Sequence, residues 1–230
     1  MKNLIFALCF AVLITFAGCN KENPDQKEFN FEFQTDAEGW TGDFADYPDS
    51  PGVEEFYEFA FSHSMLPAPL DATKGALMQS GNNHSDDLFM FIKKKLTGLE
   101  PDKIYSVNVE IEIASNAASG MAGVGGAPGE SVVIKAGASK KEPAKELVGT
   151  DYRMNIDKGS QNNEGGDMVI IGDFANGTQE NVYTLKTLKT TNPVNVSSDS
   201  NGEIWIIIGT DSGFEATTTI YYNTIKVKLN

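Results

Sequence analysis

The stretch KKKLTGLEPDKIYSVNVEIEIA, residues 93–114, decides the fold class of this 230-residue chain. Its second half alternates strictly between apolar and polar side chains, and a period of two is that of a strand with one buried and one solvated face. The turn before it contains Gly98, which tolerates positive φ, and Pro101, which fixes φ. The stretch therefore predicts a long two-faced strand entered through a turn. Its apolar row is Tyr105, Val107, Val109, Ile111 and Ile113.

The rest of the chain is a series of short strand-like runs separated by Gly, Asn, Asp and Pro. The segment LFMFI, residues 88–92, is apolar on both faces, which is typical of a central strand. No window shows the apolar spacing of a helix, so the pattern predicts an antiparallel β-sandwich in one domain, residues 29–230. The predicted strands cover residues 29–33, 56–61, 76–79, 88–92, 105–113, 131–136, 147–154, 168–171, 182–190, 203–209 and 218–229.

The start of the chain is typical of a secretory signal. Residues 4–16 are apolar except for Thr15, and this run is too short for the ~20 residues of a membrane-spanning helix. The following FAGC, residues 16–19, resembles the lipobox of bacterial lipoproteins, although Phe16 stands where Leu is usual. That resemblance implies removal of residues 1–18, acylation of Cys19, and anchoring to the cell envelope by lipid. The alternative is an ordinary signal without lipidation.

The resemblance to lipoproteins also implies a place for the mature protein. Residues 19–28 form a polar tether, and Asn20 after the cysteine implies the outer membrane. Because Cys9 and Cys19 are the only cysteines, the mature domain has no thiol for a disulfide, a metal or a nucleophile. A net charge of −14 argues against nucleic acid and against anionic lipid headgroups as partners.

Three further segments carry a resemblance to a known fold. FNFEFQTDAEGWTGDF (residues 29–44), KLTGLEPDKIYSV (95–107) and IYYNTIKVKL (220–229) are similar to strands of jelly-roll carbohydrate-binding modules with the galactose-binding-like fold. The resemblance implies adjacent first and last strands, a saccharide ligand and a structural Ca²⁺. Glu32 matches the acidic calcium position of that family, whereas Asn223 stands where an Asp is usual, and an amide oxygen brings no charge.

Two polar segments are candidates for ligand contact. Trp40, Asp43, Asp46 and Tyr47 combine aromatic rings with carboxylates in a predicted loop, and sugars present C–H faces to rings and hydroxyls to carboxylates. The alternative is that Trp40 fills one end of the core. A second loop, which leads into the LFMFI strand, offers His84, Asp86 and Asp87, or is simply a solvated turn. Trp205, among isoleucines, is predicted to lie in the core.

Other chemistries have weaker support. The glycine-rich segment 120–129 precedes a strand and not a helix, so it predicts no phosphate cradle. His63 and His84 are the only histidines and have no catalytic-triad context. The leading hypothesis is therefore non-catalytic carbohydrate binding. The alternatives are an envelope polysaccharide hydrolase or lyase that uses carboxylates, and a structural or assembly lipoprotein without a small ligand.

Overall fold

The computed structural model describes residues 26–230, so the predicted signal peptide and the predicted lipidation at Cys19 lie outside the described residues. The described chain is an antiparallel β-sandwich with one short helix, which confirms the predicted jelly-roll fold class. No helix in the described range has the length and apolarity to span a bilayer. The elements are β1 Lys27–Phe31, β2 Thr41–Ala45, β3 Tyr47–Pro48, α1 Val53–Phe56, β4 Ala60–Met65, β5 Gly75–Asn82, β6 Leu88–Leu96, β7 Ile104–Ser115, β8 Val132–Ser139, β9 Lys145–Val148, β10 Asp151–Met154, β11 Met168–Asp173, β12 Thr184–Lys189, β13 Val194–Ser197, β14 Ile204–Ser212 and β15 Thr217–Leu229.

Two large sheets face each other, and a small third sheet is separate from both. The first sheet has seven strands in the order β12-β7-β15-β5-β4, with β1 paired to β15 and β13 paired to β7. The second has five strands in the order β11-β8-β14-β6-β2, and the third is β3-β10-β9. As the family resemblance implied, the first and last strands are neighbours, with Phe31 opposite Ile225.

The strand β7 is built as its alternation predicted. Its apolar row from Tyr105 to Ile113 faces the main core, at about 1.5–3 kcal/mol for each fully buried side chain before entropy is counted. In the preceding turn Gly98 and Asp102 both have positive φ. The Glu100 N–H donates to the Tyr105 hydroxyl at 2.9 Å, so the turn is tied to the first core residue of the strand.

The strand β6 is central and buried on both faces, as predicted. Leu88, Met90 and Ile92 belong to the main core between the large sheets. Phe89 and Phe91 point the other way and form a second apolar cluster, whose further members are Ala45, Ile156, Met168 and Ile207. The outer face of the second sheet is therefore covered by the chain that follows β10.

The two tryptophans exchange the places that the sequence favoured for them. Trp40 is only 2% exposed and packs edge-on against Phe31, with ring centroids 5.4 Å apart, so it fills the core. Trp205 lies on the outer face of the second sheet, half-buried, between the ammonium groups of Lys93 and Lys95 at 5.5 and 5.3 Å from its ring centre. Both expectations were wrong: Trp205 alternates with the core residues Ile204 and Ile206 and so faces outward, whereas Trp40, which precedes β2, turns into the core.

Three segments have a secondary structure different from the one that the sequence predicted. Residues 56–61 are not one strand, because α1 ends at Phe56 and β4 begins at Ala60. Residues 147–154 are a hairpin of β9 and β10, in which Gly149 has a φ of +67°. The predicted loop 40–48 contains two strands, β2 and β3, joined at Asp46 with a φ of +63°.

Candidate ligand-binding site

The turn at Asp46 sends the predicted contact residues in different directions. Asp43 lies on β2, the edge strand of the second sheet, and is about one-third exposed. Asp46 and Tyr47 are buried, and Tyr47 enters the third sheet opposite Tyr152. Trp40 has no face open to solvent. Of the first predicted group, only Asp43 therefore keeps a carboxylate at the surface.

A pocket opens beside Tyr47, between β3, α1 and β10. Its volume is about 500 Å³. The half-buried Tyr152 ring stands against the Tyr47 ring, with centroids 5.1 Å apart and planes tilted by 41°. The Tyr152 hydroxyl donates to Asp49 Oδ1 at 3.1 Å. Aromatic rings thus lie beside exposed carboxylates in one concave surface. The lining residues are Tyr47, Asp49, Ser50, Gly52, Val53, Glu54, Glu55 and Tyr152.

Lys145 organises one side of this pocket. Its Nζ donates to the Tyr47 hydroxyl at 2.7 Å and lies 3.2 Å from Asp43 Oδ1 and 3.8 Å from Glu54 Oε1. Burial acts to lower the pKa of Lys145, but the hydrogen bond to Tyr47 and the charge of Asp43 outweigh it and raise the pKa. Burial raises the pKa of Tyr47. Both groups therefore keep their protons at neutral pH, and Asp43 is linked to the pocket through Lys145.

An exposed aromatic pair lies at the C-terminal end of α1. Phe56 is 61% exposed and stacks on the exposed His84 ring, with centroids 4.1 Å apart and planes 25° from parallel. His84 also meets Tyr57 edge-on at 5.3 Å. Phe56 therefore forms a flat aromatic surface at this site, and the predicted contact residue His84 supports its ring. Trp40 does not contribute to this surface.

Phe56, Tyr152 and Glu54 were missed from the sequence. The sequence pattern predicts a strand over residues 56–61, and in a strand every second aromatic ring would face inward. A cue was present in Pro51 and Gly52 followed by VEEF, because acidic residues are enriched in the first turn of a helix. For Tyr152 no local cue exists, since its position depends on the pairing of β10 with β3.

The second predicted acidic loop joins a buried ion network. Lys135 and Asp211, both 0% exposed, are 2.8 Å apart. Lys158 Nζ bridges Asp211 and Asp46 at 2.8 and 2.9 Å. Arg153 completes the network, with Nη1 3.1 Å from Asp87 Oδ2 and 3.4 Å from Asp46 Oδ1. Asp86 stays exposed on the same loop, and its carbonyl oxygen accepts a hydrogen bond from Gln161 at 2.6 Å.

The charges in this network balance one another. Within residues 26–230, Asp46, Asp87 and Asp211 are the one group of three carboxylates whose oxygens converge to within 4.8 Å. The ammonium groups of Lys135 and Lys158 lie among these oxygens, where a metal ion would otherwise be needed. Burial, reinforced by the charge of Asp46, raises the pKa of Asp87 to about 6. The arrangement is an ion network that holds the chain after β10 against β8 and β14.

The predicted calcium residues lie near the junction of β1 and β15. Glu32 is exposed, and it lines a cavity of about 250 Å³ together with Glu110 and Glu112. Asn223 occupies a bulge in β15 and donates from Nδ2 to Glu112 Oε1 at 2.6 Å. The Asn223 Oδ1 atom is buried and has no hydrogen-bond partner. Oxygen donors are therefore present in this region, and calcium binding stays a prediction.

Comparisons with known proteins were made for both the sequence and the fold. No family model matches the sequence, and no curated protein matches it. Among similar solved structures, one concerns promiscuous specificity in carbohydrate-binding modules of the β-sandwich superfamily. It is 13% identical with a TM-score of 0.42 over 85% of this chain, which spans 58% of that chain's length.

Two other similar structures are also carbohydrate-binding modules. One, described for specific mannan recognition, is 9% identical over 89% of this chain and 98% of its own, with a TM-score of 0.42. A family 11 module from Clostridium thermocellum, in complex with a β-1,3-1,4-mixed-linked tetrasaccharide, is 9% identical over 88% and 94% of the two chains, with a TM-score of 0.38.

Proposed function

We propose that this chain binds a saccharide, without catalysis, in the pocket between β3, α1 and β10. The observation that carries the proposal is the Tyr152 ring, half-buried against Tyr47 and flanked by the carboxylates of Asp49, Glu54 and Glu55. A sugar presents a C–H face that packs on an aromatic ring, and its hydroxyls donate to carboxylates. The opening of about 500 Å³ is large enough for such a ligand.

The pocket is held in shape by contacts that need no ligand. The hydrogen bond to Asp49 fixes the Tyr152 ring, and Lys145 fixes Tyr47 beneath it. Asp49 keeps further lone pairs for a sugar hydroxyl, because an ionised carboxylate accepts several hydrogen bonds. A site organised in advance loses less entropy when it binds. The exposed Phe56 ring, carried by the same helix as Glu54 and Glu55, offers a second surface for the next sugar unit.

A glycan array followed by calorimetry on each hit tests this proposal. We expect Tyr152→Ala and Phe56→Ala each to weaken binding about tenfold, because loss of a stacked ring costs about 1 kcal/mol. Tyr183→Ala is the matched control, since Tyr183 is a half-buried tyrosine packed edge-on against Tyr221 and does not line the pocket. A screen without hits, or hits that are indifferent to Tyr152→Ala and Phe56→Ala, would count against the proposal.

The converging carboxylates of Asp46, Asp87 and Asp211 do not fit the hydrolase alternative. Glycosidases place two accessible carboxyl groups about 5–10 Å apart across the bond to be cleaved. The three converging carboxylates of the described chain are closer than that, and Asp46 and Asp211 are buried and ion-paired. Of these three, only Asp87, with its side chain 33% exposed, could approach a substrate.

We also propose that the protein is held at the bacterial cell envelope, at the outer membrane, through lipid on Cys19. The support is the FAGC segment and the polar tether after it. Two or more acyl chains would give stable membrane attachment. The test is incorporation of a labelled fatty acid, which Cys19→Ala should abolish. Label that persists in this variant would contradict the assignment.

A structural Ca²⁺ near Glu32 and Asn223 is a separate proposal. It is supported by the buried Asn223 Oδ1 atom without a partner and by the carboxylates nearby. A ligand that binds only the folded state stabilises it by about 2.7 kcal/mol at 100 times its Kd. Calcium should therefore raise the melting temperature, and it should do so less in Glu32→Gln and Asn223→Leu than in the unaltered chain. An equal rise in all three proteins would contradict the assignment.

A further inference from the structure

The wall of the saccharide pocket carries negative charge only. Asp49, Glu54 and Glu55 line it and are exposed at its rim. The remaining lining residues are tyrosines, a serine, a glycine and a valine, so the wall itself contains no cationic side chain. Three carboxylates around one opening of about 500 Å³ create a negative local potential, which adds to the net charge of −14.

Two cations beside this wall, Lys145 and Arg153, are already engaged. Lys145 has three donor positions, and the Tyr47 hydroxyl, Asp43 and Glu54 lie within 3.8 Å of its Nζ. Arg153, which follows Tyr152 in β10, is within 3.4 Å of carboxylates of three aspartates: Asp46, Asp87 and Asp151. An anionic group on a ligand would therefore have to displace one of these partners before it met a positive charge.

The tyrosine hydroxyls do not change the net negative charge of the pocket wall. The hydrogen bond between Tyr152 and Asp49 raises the pKa of Tyr152, and burial raises the pKa of Tyr47. Both phenols therefore remain neutral, and the Tyr152 proton is already donated to Asp49. What the pocket offers a ligand is an aromatic surface with an excess of hydrogen-bond acceptors.

We infer that this pocket selects saccharides by charge: it binds sugars with protonated amino groups more tightly than neutral ones, and it rejects sugars with carboxylate or sulfate groups. The inference rests on the proposed function and names its ligand class. An ammonium group supplies three donors and a positive charge to Asp49, Glu54 and Glu55. The carboxylate of an acidic sugar would face the same three anions and would be repelled.

The experiment compares three oligosaccharides of equal length by calorimetry on the full chain, at pH 6 and low salt. They are oligomers of glucosamine, of N-acetylglucosamine and of galacturonic acid. We expect the glucosamine oligomer to bind about tenfold more tightly than its acetylated counterpart, because one close ion pair near a solvated surface is worth about that factor. The galacturonic acid oligomer should not bind.

Two double variants test whether the pocket carboxylates cause the preference for the glucosamine oligomer over the acetylated one. Glu54→Gln/Glu55→Gln keeps the side-chain shape and should bring the affinity ratio of the glucosamine and acetylated oligomers close to one. Glu180→Gln/Glu215→Gln removes two exposed carboxylates that do not line the pocket and should leave the ratio unchanged. A preference that survives Glu54→Gln/Glu55→Gln would show attraction to the whole acidic protein and would overturn the inference.

The remaining outcomes separate the inference from the proposed function. If both amino-sugar oligomers bind equally, and both are weakened by Tyr152→Ala, the pocket binds saccharides without charge selection and only the inference fails. If the galacturonic acid oligomer binds at least as tightly as the other two, the inference fails in the same way. If no saccharide binds in a manner that depends on Tyr152, the proposed function fails and the inference fails with it.

Discussion

Replacement of Lys135 by methionine should destabilise the fold strongly, because this lysine is fully buried in the ion network. Its Nζ donates to Asp211 at 2.8 Å and to the carbonyl oxygens of Asn163 and Lys158 at 2.9 and 3.0 Å. Burial lowers the pKa of Lys135, but removal of the ammonium leaves Asp211 with one cation fewer and two carbonyls without their donor. Breaking a buried ion pair from one side costs about 3–5 kcal/mol.

That cost is large against the total stability of a domain, which is on the order of 5–15 kcal/mol. Urea unfolding followed by far-ultraviolet circular dichroism measures it. Lys140→Met is the matched control, because Lys140 is 53% exposed and lies 3.4 Å from the exposed Asp102. An exposed pair of this kind contributes at most about 1 kcal/mol, so the control should change the free energy of unfolding by about 0.5 kcal/mol or less.

A second variant separates charge from packing. In Lys135→Met/Asp211→Leu both partners are apolar, and the uncompensated charge is gone. We expect this double variant to be more stable than Lys135→Met alone, since apolar replacement of a buried pair is often close to neutral. The reasoning is refuted if Lys135→Met costs no more than Lys140→Met, or if the double variant is no more stable than Lys135→Met.

Three further predictions concern other parts of the molecule. The pKa of Asp87 is raised from 3.8 to about 6, so the folded state holds this proton more tightly and stability falls as the pH rises between these values. Asp87→Asn should remove this contribution to the decline and, after allowance for partial exposure, add about 1 kcal/mol of stability at pH 7. Urea unfolding midpoints between pH 4 and pH 8 measure both effects. A decline of unchanged size in Asp87→Asn would contradict this. Trp40→Ala should lower the free energy of unfolding in urea by about 3–5 kcal/mol, because Trp40 packs on Phe31 in the core. The glycan affinity of the folded fraction should stay unchanged. Weaker glycan binding would instead indicate that Trp40 contacts the ligand. Gly75→Ala should lower the free energy of unfolding by about 2 kcal/mol or more, since a Cβ there would lie 1.8 Å from the Phe33 carbonyl oxygen. Gly166→Ala is the control, because a Cβ there would lie 3.3 Å from the nearest atom, Asp157 Oδ2. Equal urea midpoints for the two variants would contradict the prediction.

Several features of the fold could be predicted from the sequence because they repeat locally. Alternation in β7 placed its apolar row in the core, and the uninterrupted apolar run of β6 indicated burial on two faces. In both cases the periodicity of side-chain direction along a strand is a property of the strand alone. The adjacency of first and last strands came from the family resemblance and agrees with the pairing of β1 and β15.

The candidate site could be predicted only in part. The segment around Asp43 and Tyr47 does border the pocket, and His84 does lie in an aromatic pair at the surface. Trp40, the strongest candidate by residue type, is in the core, and the exposed ring is Phe56. Residue type gives the chemistry that a side chain can perform, but it does not say whether that side chain reaches solvent.

The sequence by itself determined that the chain forms strands and which side chains alternate, since burial on one face of a strand repeats every two residues. Only the tertiary structure decided which faces remain open. Lys135 and Asp211 are 76 residues apart and meet through the pairing of β8 with β14. Tyr152 reaches the pocket because β10 pairs with β3. Such contacts depend on the register and packing of distant strands, and no local pattern encodes them.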